Sequence, residues 1–363
     1  MFGKKKKASK PIILAESWSP SCQIQAFVEE SDTCCYFYLW VHLGEERVIK
    51  SCWICNVGKA PDKVSTDAMK NGMAPAMPAK YVKHNPEGMR LNREKLSIVW
   101  FEEGDGAALL EGDTLICVIP GWSGYQGFNG YSRYALGTAP YAWELTQAEE
   151  ALGIRVSKSR EFWNFFEGNY WEEVQQMHMQ VLENFFGKYE QYYAIDGGKF
   201  PPKALISGVR NGVHYGITAG VSLLPMPQIE QYFQQETSDF RRIELGFAAS
   251  ENQREICKRM YSYISSISNI PWYEISFLAH GHTIPCNVIE EFSAVWLLDS
   301  RLLPQIDAPS YPDFMGDKIN LLWLVPLKEE EFEKLKEIGT EEALKLLEGC
   351  LKEITIFDGT GVF

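Results

Sequence analysis

The sequence predicts an α+β protein, with a mixed sheet flanked by helices in its C-terminal half and a mainly-β domain before it. Three observations predict this class. The chain has 363 residues, too many for one ordinary core and suited to two domains. Its first half carries aromatic and β-branched residues that alternate with polar ones, the period of half-buried strands. Its second half mixes short apolar runs with helical periodicity but has no regular strand–helix–strand rhythm, which favours a mixed sheet over a doubly wound one. The expected organisation is a basic flexible tail over 1–17, a mainly-β domain over 18–155 and an α+β domain over 160–363.

The elements follow in chain order. Gln23 to Asn56 alternates on either side of Gly44-Glu45-Glu46, so a hairpin is expected there. Ala60 to Pro86, rich in Pro, Gly, Met and Lys, is expected to be a long surface loop holding one short helix. Ser97 to Phe101 and Thr114 to Ile119 read as strands, separated by the Gly104-Asp105-Gly106 and Glu111-Gly112-Asp113 turns. Thr146 is expected to cap a short helix through Leu152 that Gly153 closes, with the domain boundary between there and Ser159.

The second half opens with helices over Glu161 to Phe166 and Trp171 to Phe186, the latter with Trp171, Val174, Met177, Val181, Leu182 and Phe185 at helical spacing. Strands are expected near Ala204 to Val209, Tyr215 to Ala219 and Ile243 to Ala248, then a helix over Asn252 to Ile267 facing Ile256, Met260, Tyr263 and Ile267 inward. Ile319 to Val325 is too short and too apolar for anything but a buried strand, which Pro326 is expected to end. An amphipathic helix then buries Phe332, Leu335 and Ile338 and stops at Gly339. Thr340 caps a second helix with Ala343, Leu344 and Leu347 on its inner face.

This strand, proline, glutamate run, helix, glycine, helix ending resembles the close of the suppressor of fused domain family. Tyr215-Gly216-Ile217-Thr218-Ala219-Gly220-Val221-Ser222 with Pro225-Met226 resembles that family's strand and Thr-x-Gly-x-Ser turn. Arg241 to Leu245 resembles its next strand, and His280-Gly281-His282-Thr283-Ile284-Pro285 its Gly-His-Thr turn. The matching blocks lie in order between roughly Trp171 and Asp358. The resemblance implies a non-catalytic module that sequesters or neutralises a partner protein. Bacterial relatives are suspected immunity proteins against toxins, and animal relatives hold a transcription factor. Roughly Trp18 to Thr146 lies outside the resemblance.

The formal net charge is −13. An acidic body repels phosphate backbones, so nucleic-acid binding by the folded part is disfavoured, whereas a basic partner such as a toxin would suit it. Acidity also simply aids solubility. The Lys4 to Lys7 tail reads as a solvated charge run, with contact to anionic lipid or nucleic acid as the sharper alternative. No apolar run is long enough to span a bilayer, and no stretch of signal-peptide length follows the tail. Nine scattered cysteines suit reduced thiols in a cytoplasm better than a disulfide framework.

Gly121-Trp122-Ser123, Gly124-Tyr125-Gln126, Gly127-Phe128-Asn129 and Gly130-Tyr131-Ser132, echoed by Arg133-Tyr134-Ala135, form a tandem glycine–aromatic–polar repeat. Frequent glycine excludes a stable helix and bulky rings exclude collagen. Rings of this kind dominate protein interfaces, so Trp122, Tyr125, Phe128, Tyr131 and Tyr134 are the candidate partner-binding residues. The alternative is a loop that folds its rings onto its own domain.

No complete catalytic or metal constellation is legible, and no cofactor is expected. Gly121-Trp122-Ser123-Gly124-Tyr125 lacks the second glycine of a nucleophile elbow. Cys34-Cys35 and Cys52-Trp53-Ile54-Cys55 lack zinc-ribbon spacing and would point to opposite faces of strands, which suits buried structural thiols. His280 and His282 would share a face of an extended strand, but no third ligand is evident beyond Glu274 and Glu290 nearby. His214 reads as structural. Two other functions are weighed beside the binding module: a hydrolase-type enzyme using His282 with an acid, and a structural subunit held by the aromatic loop.

Overall fold

A computed structural model describes residues 10–44, 46–64, 66–70 and 72–363. The Lys4 to Lys7 tail and Glu45 of the expected hairpin turn lie outside the described residues. The chain divides into two compact units, Met1–Phe166 and Glu167–Phe363.

The first unit is mostly strands. β1 (Ile12–Trp18), β2 (Ile24–Glu30), β3 (Cys34–Leu43) and β4 (Glu46–Asn56) form an antiparallel sheet in chain order. Period-two alternation sends Ile24, Ala26, Val28, Phe37, Leu39, Val41 and Cys52 to one fully buried face. The opposite face carries cross-strand aromatic contacts, Phe27 with Tyr38 and with Trp40, each at 5.2 Å between ring centroids. Residues 12–17, expected in the flexible tail, form the edge strand β1 instead. Its side chains are largely exposed, so it carries no alternating signal and is held by its backbone ladder to β2.

β5 (Leu96–Trp100), β6 (Ala107–Glu111), β7 (Thr114–Ile119), β8 (Tyr131–Ser132) and β9 (Trp143–Glu144) make a second sheet, antiparallel except for the β8–β9 pair. The sequence reading passed over β6, which lies between the two expected turns. Both of its faces are buried at Ala107, Ala108, Leu109 and Leu110, so it does not alternate. The sheets meet where the Cys52 thiol donates to Tyr131 O at 3.6 Å and Ser132 Oγ donates to Ile54 O at 3.0 Å.

One helix, Glu149–Phe165, closes this unit. It replaces the two shorter helices expected here and runs straight through the stretch from Gly153 to Ser159 that was expected to divide the domains. A mid-helix glycine costs only about 1 kcal/mol. Tertiary packing outweighs that cost. Val156 and Phe162 are buried, Arg155 stacks 4.1 Å above the Phe101 ring, and Trp163 Nε1 donates to Trp100 O at 2.9 Å.

The second unit is one eight-stranded mixed sheet with helices. Its strands are β10 (Gln191–Ala194), β11 (Ala204–Arg210), β12 (Val213–Ala219), β13 (Arg242–Ser250), β14 (Thr283–Pro285), β15 (Phe292–Asp299), β16 (Ile319–Lys328) and β17 (Ile356–Phe357). The order is β10-β11-β12-β13-β16-β15-β14, with β17 also on β13. β13 runs antiparallel to β12 and parallel to β16 and β17. It is a central strand, buried along nearly its whole length.

Several local expectations shift in this unit. Pro326 does not end its strand, because β16 continues to Lys328. β13 pairs only with Ile319–Trp323 of β16, so the stretch around Pro326 is flanked by β15 without β13, where a missing donor is tolerated. Thr340 is the first residue of its helix rather than the cap, which is Gly339, and its hydroxyl donates to Gly281 O at 3.4 Å. The helix Arg254–Ile267 buries Cys257, Met260, Ile264 and Ile267, a face turned slightly from the expected one. The helix Tyr170–Phe186 buries Val174, Leu182 and an unexpected His178.

All nine cysteines are unpaired, and all but the half-buried Cys350 are buried. Cys35 stands directly opposite Cys55 across β3 and β4. A hydrogen bond with Cys55, together with burial, pushes the Cys35 thiol well above its ordinary range; burial, with a hydrogen bond to Cys52, does the same to Cys117. Little thiolate is then available to react. Folded protein treated with a maleimide should therefore label rapidly at Cys350 alone, and at every cysteine after unfolding, as read by peptide mass spectrometry. Rapid native labelling of Cys52 or Cys55 would contradict this packing.

Candidate functional site

The aromatic repeat in the first unit is mostly folded onto itself. Gly130, at φ +151°, sits so near β7 that an added Cβ would lie 2.5 Å from Val118 O, which accounts for one glycine of the repeat. Trp122, half-buried, stacks on Phe128 at 4.4 Å. Phe128 is only 3% exposed and also meets Tyr131 at 4.9 Å and Trp143 at 4.8 Å. Tyr134 is half-buried, edge-on to His84, which stacks on Trp53. Phe128 is thus a packed ring of this unit rather than an outward anchor. Tyr125, at 55% exposure, is the ring of the five that stands outside. Trp143, on β9, adds a second exposed ring to the cluster at 38%; it lies outside the repeat, and no local pattern marked it. Ser123 is buried and donates to Asn129 O at 2.6 Å, so it is no nucleophile.

In the second unit the Thr-x-Gly-x-Ser turn has a direct chemical meaning. Thr218, Gly220 and Ser222 all donate to one carboxylate, that of fully buried Glu244 on β13. Thr218 Oγ1 reaches Glu244 Oε2 at 2.6 Å. The backbone N–H groups of Gly220 and Ser222 reach Oε1 at 3.0 Å each, and Ser222 Oγ does so at 2.7 Å. Gly220 holds φ +99°, and a Cβ there would lie 2.6 Å from Pro202 O, so glycine is required for the turn to close over the carboxylate. Two residues earlier on the same strand, fully buried Arg242 donates from Nε to Asp317 at 2.7 Å and from Nη1 to the Ser222 and Leu223 carbonyls at 2.9 and 2.8 Å.

Sequence reasoning treated Arg241 to Leu245 as a plain strand and missed this cluster. Its signal was present. Arg242 and Glu244 alternate with Ile243 and Leu245, which places both charges on one face of a strand whose two faces are buried.

Ser222, His178 and Glu244 look superficially like a nucleophile–base–acid set. Ser222 Oγ lies 3.3 Å from His178 Nε2. The carboxylate, however, binds the serine rather than standing behind the histidine, and His178 Nδ1 has no hydrogen-bond partner among the described residues. Serine, histidine and glutamate are all shut from solvent. A hydroxyl already donating to a carboxylate in a closed core does not attack a substrate. Lys203 is likewise internal. It hydrogen-bonds Asn269 and faces the Trp272 ring at 5.6 Å, and burial, opposed by Glu244 and Asp196, brings its pKa down to about 8.

The other sequence candidates are apart from this cluster. His280 and His282 lie in a turn around Gly281 at φ +85°, before β14 begins at Thr283, so strand alternation does not bring them onto one face. His280 Nδ1 accepts from Asp299 N at 3.2 Å, and the His282 ring lies 5.2 Å from that of Phe277. Among the described residues no group of three or more His, Cys, Asp or Glu is placed to hold a metal. His214 pairs with exposed Glu251 at 2.7 Å.

Removing one partner of a buried charge cluster strands the other, at a cost of about 3–5 kcal/mol. Glu244→Ala and Arg242→Ala should each lower unfolding free energy by about that amount, and Ser222→Ala by about 1–3 kcal/mol, measured by urea denaturation. Near-wild-type midpoints for the first two would show that the cluster is not structural.

Burial also pushes His84, His178, His280 and His282 below the ordinary value of 6.5. Their unfolded forms take up protons first as pH falls, so stability present above pH 6.5 is lost on acidification toward the lowered folded values. Denaturation midpoints should decline from pH 7 to pH 5, and His178→Gln should flatten that slope.

The family model described as suppressor of fused protein matches residues 202–358, the stretch that holds the turn, Glu244, Arg242 and Asp317. The match lies in the C-terminal part, and the N-terminal unit is an additional, mainly-β body outside it. No curated protein and no solved structure matches the chain.

Proposed function

Proceeding from a suppressor of fused domain in the C-terminal part of the chain, we propose that this protein binds and masks a partner protein without turnover. The domain match carries the reading, since that family's domain is a protein-interaction module. The closed Ser222–His178–Glu244 core supports it, because this grouping, which resembles catalytic machinery, is built into the scaffold. The net charge of −13 supports a basic partner, and neutralisation of a basic toxin is the specific form of masking proposed. The unpaired cysteines suit a reducing, cytoplasmic setting.

Within the first unit the contact proposed is Tyr125 with Trp143, two exposed rings, of which Trp143 meets Phe128 of the Trp122–Phe128 stack edge-on. Flat rings on a packed base lose little conformational freedom on binding. Partners captured from native extract should be identified by mass spectrometry and their affinity measured with purified components. Tyr125→Ala with Trp143→Ala should weaken binding by about 2 kcal/mol or more with an unchanged denaturation midpoint. Phe128→Ala should instead destabilise the fold by about 3–5 kcal/mol. Unchanged affinity in the double variant would remove this surface from the interface, and turnover abolished by His282→Ala would overturn the non-catalytic reading.

A further inference from the structure

In the second unit a cavity of about 250 Å³ opens between the end of the helix Tyr170–Phe186, the sheet and the segment around Lys352. Trp323, Phe185 and Phe186 supply aromatic surface, while Arg210, Asp307 and Lys352 supply charge. An apolar cavity of about 150 Å³ accepts benzene. This one therefore has room for a single ring and a short polar group.

The polar part of the lining is biased toward donors. Arg210 stacks 4.3 Å above the Phe185 ring, which holds the guanidinium in place. Lys352 Nζ lies 2.6 Å from Asp307 Oδ2. Lys352 and, more weakly, Arg210 hold that carboxyl below its usual range, so both cations act on one anion. Trp323 is 4% exposed, and its indole N–H has no acceptor among the described residues. Two cations against one anion leave a local excess of positive charge. The chain's overall charge of −13 does not cancel this at contact range, since salt screens exposed charges beyond about 10 Å.

From this arrangement we infer that the cavity binds an aromatic monocarboxylate of about one ring, with the ring against Trp323 and Phe186 and the carboxylate on Arg210 and Lys352. Charge complementarity selects the carboxylate, and the volume selects the ring. Asp307 is then a built-in competitor: it already occupies Lys352, and a ligand must displace it. The site is independent of the protein partner proposed above and uses none of its residues.

The competitor gives the test its sign. Full-length protein would be titrated by calorimetry with phenylacetate, with neutral phenylacetamide, and with a capped peptide carrying phenylalanine in mid-chain. Phenylacetate should saturate one site with a Kd on the order of 1 mM, ordinary for a ligand of about ten heavy atoms. The amide should bind about tenfold more weakly or not at all. Lys352→Gln should weaken phenylacetate severalfold, whereas Asp307→Asn should tighten it severalfold, although both remove the same ion pair. Loss of the ion pair alone would move the two variants in the same direction. Both positions are exposed, so the variants keep the fold, which circular dichroism would check. Equal binding of acid and amide, weaker binding in Asp307→Asn, absence of saturation, or preference for the mid-chain peptide as a side-chain anchor would each overturn the inference.

Discussion

A carboxylate buried on a central strand is the constraint on which the second unit depends. Glu244 has neighbours on both sides in the sheet and no access to water, so an ionised side chain there must be answered by donors from the protein itself. The turn after β12 supplies them from one side chain, two backbone N–H groups and a serine hydroxyl. Arg242 compensates on the same strand, and its own partner Asp317 lies just before β16. Two turns far apart in sequence are thereby tied to one strand. An apolar pair could fill the same volume, but it would not dictate the path of either turn.

This arrangement explains why the most recognisable motif of the domain is not a site of chemistry. Thr218 lies near the end of β12 and the left-handed turn at Gly220 folds the chain back over the carboxylate, so the donors of Thr218, Gly220 and Ser222 are each consumed by Glu244. His178 packs beside them from the helix Tyr170–Phe186, with Tyr311 against its ring at 5.3 Å. A polar cluster this enclosed gives the domain a rigid interior and leaves recognition to surfaces. Protein binding is a natural use of such a scaffold.

The first unit follows a different logic. Its strands bury cysteines and aliphatic residues on one face of the first sheet and place cross-strand aromatic contacts on the other. Its glycine–aromatic repeat solves a packing problem with rings packed on rings, Trp122 stacked on Phe128 and Phe128 edge-on to Trp143. Abundance of aromatic residues in a loop was therefore not evidence that all of them face outward. Small domains have limited aliphatic surface to spare, and rings that bury a large area per residue complete the core.

The sequence by itself determined the α+β class, the strand-rich first half, the strong strands β12, β13 and β16, and the amphipathic helices after Pro326, because period and apolar run length are local properties. The domain resemblance was legible for the same reason, through turns whose residues have conformational or hydrogen-bonding demands. Elements without a local signature escaped it: the exposed edge strand β1, the doubly buried β6, and the continuity of the helix across Gly153. Only the tertiary structure decided which charges are partners, since Glu244 and Ser222 are distant in sequence and meet only when β12 and β13 pair. It also decided which of the aromatic rings stay outside, Tyr125 but not Phe128, because exposure depends on what packs above a residue and no local pattern encodes that.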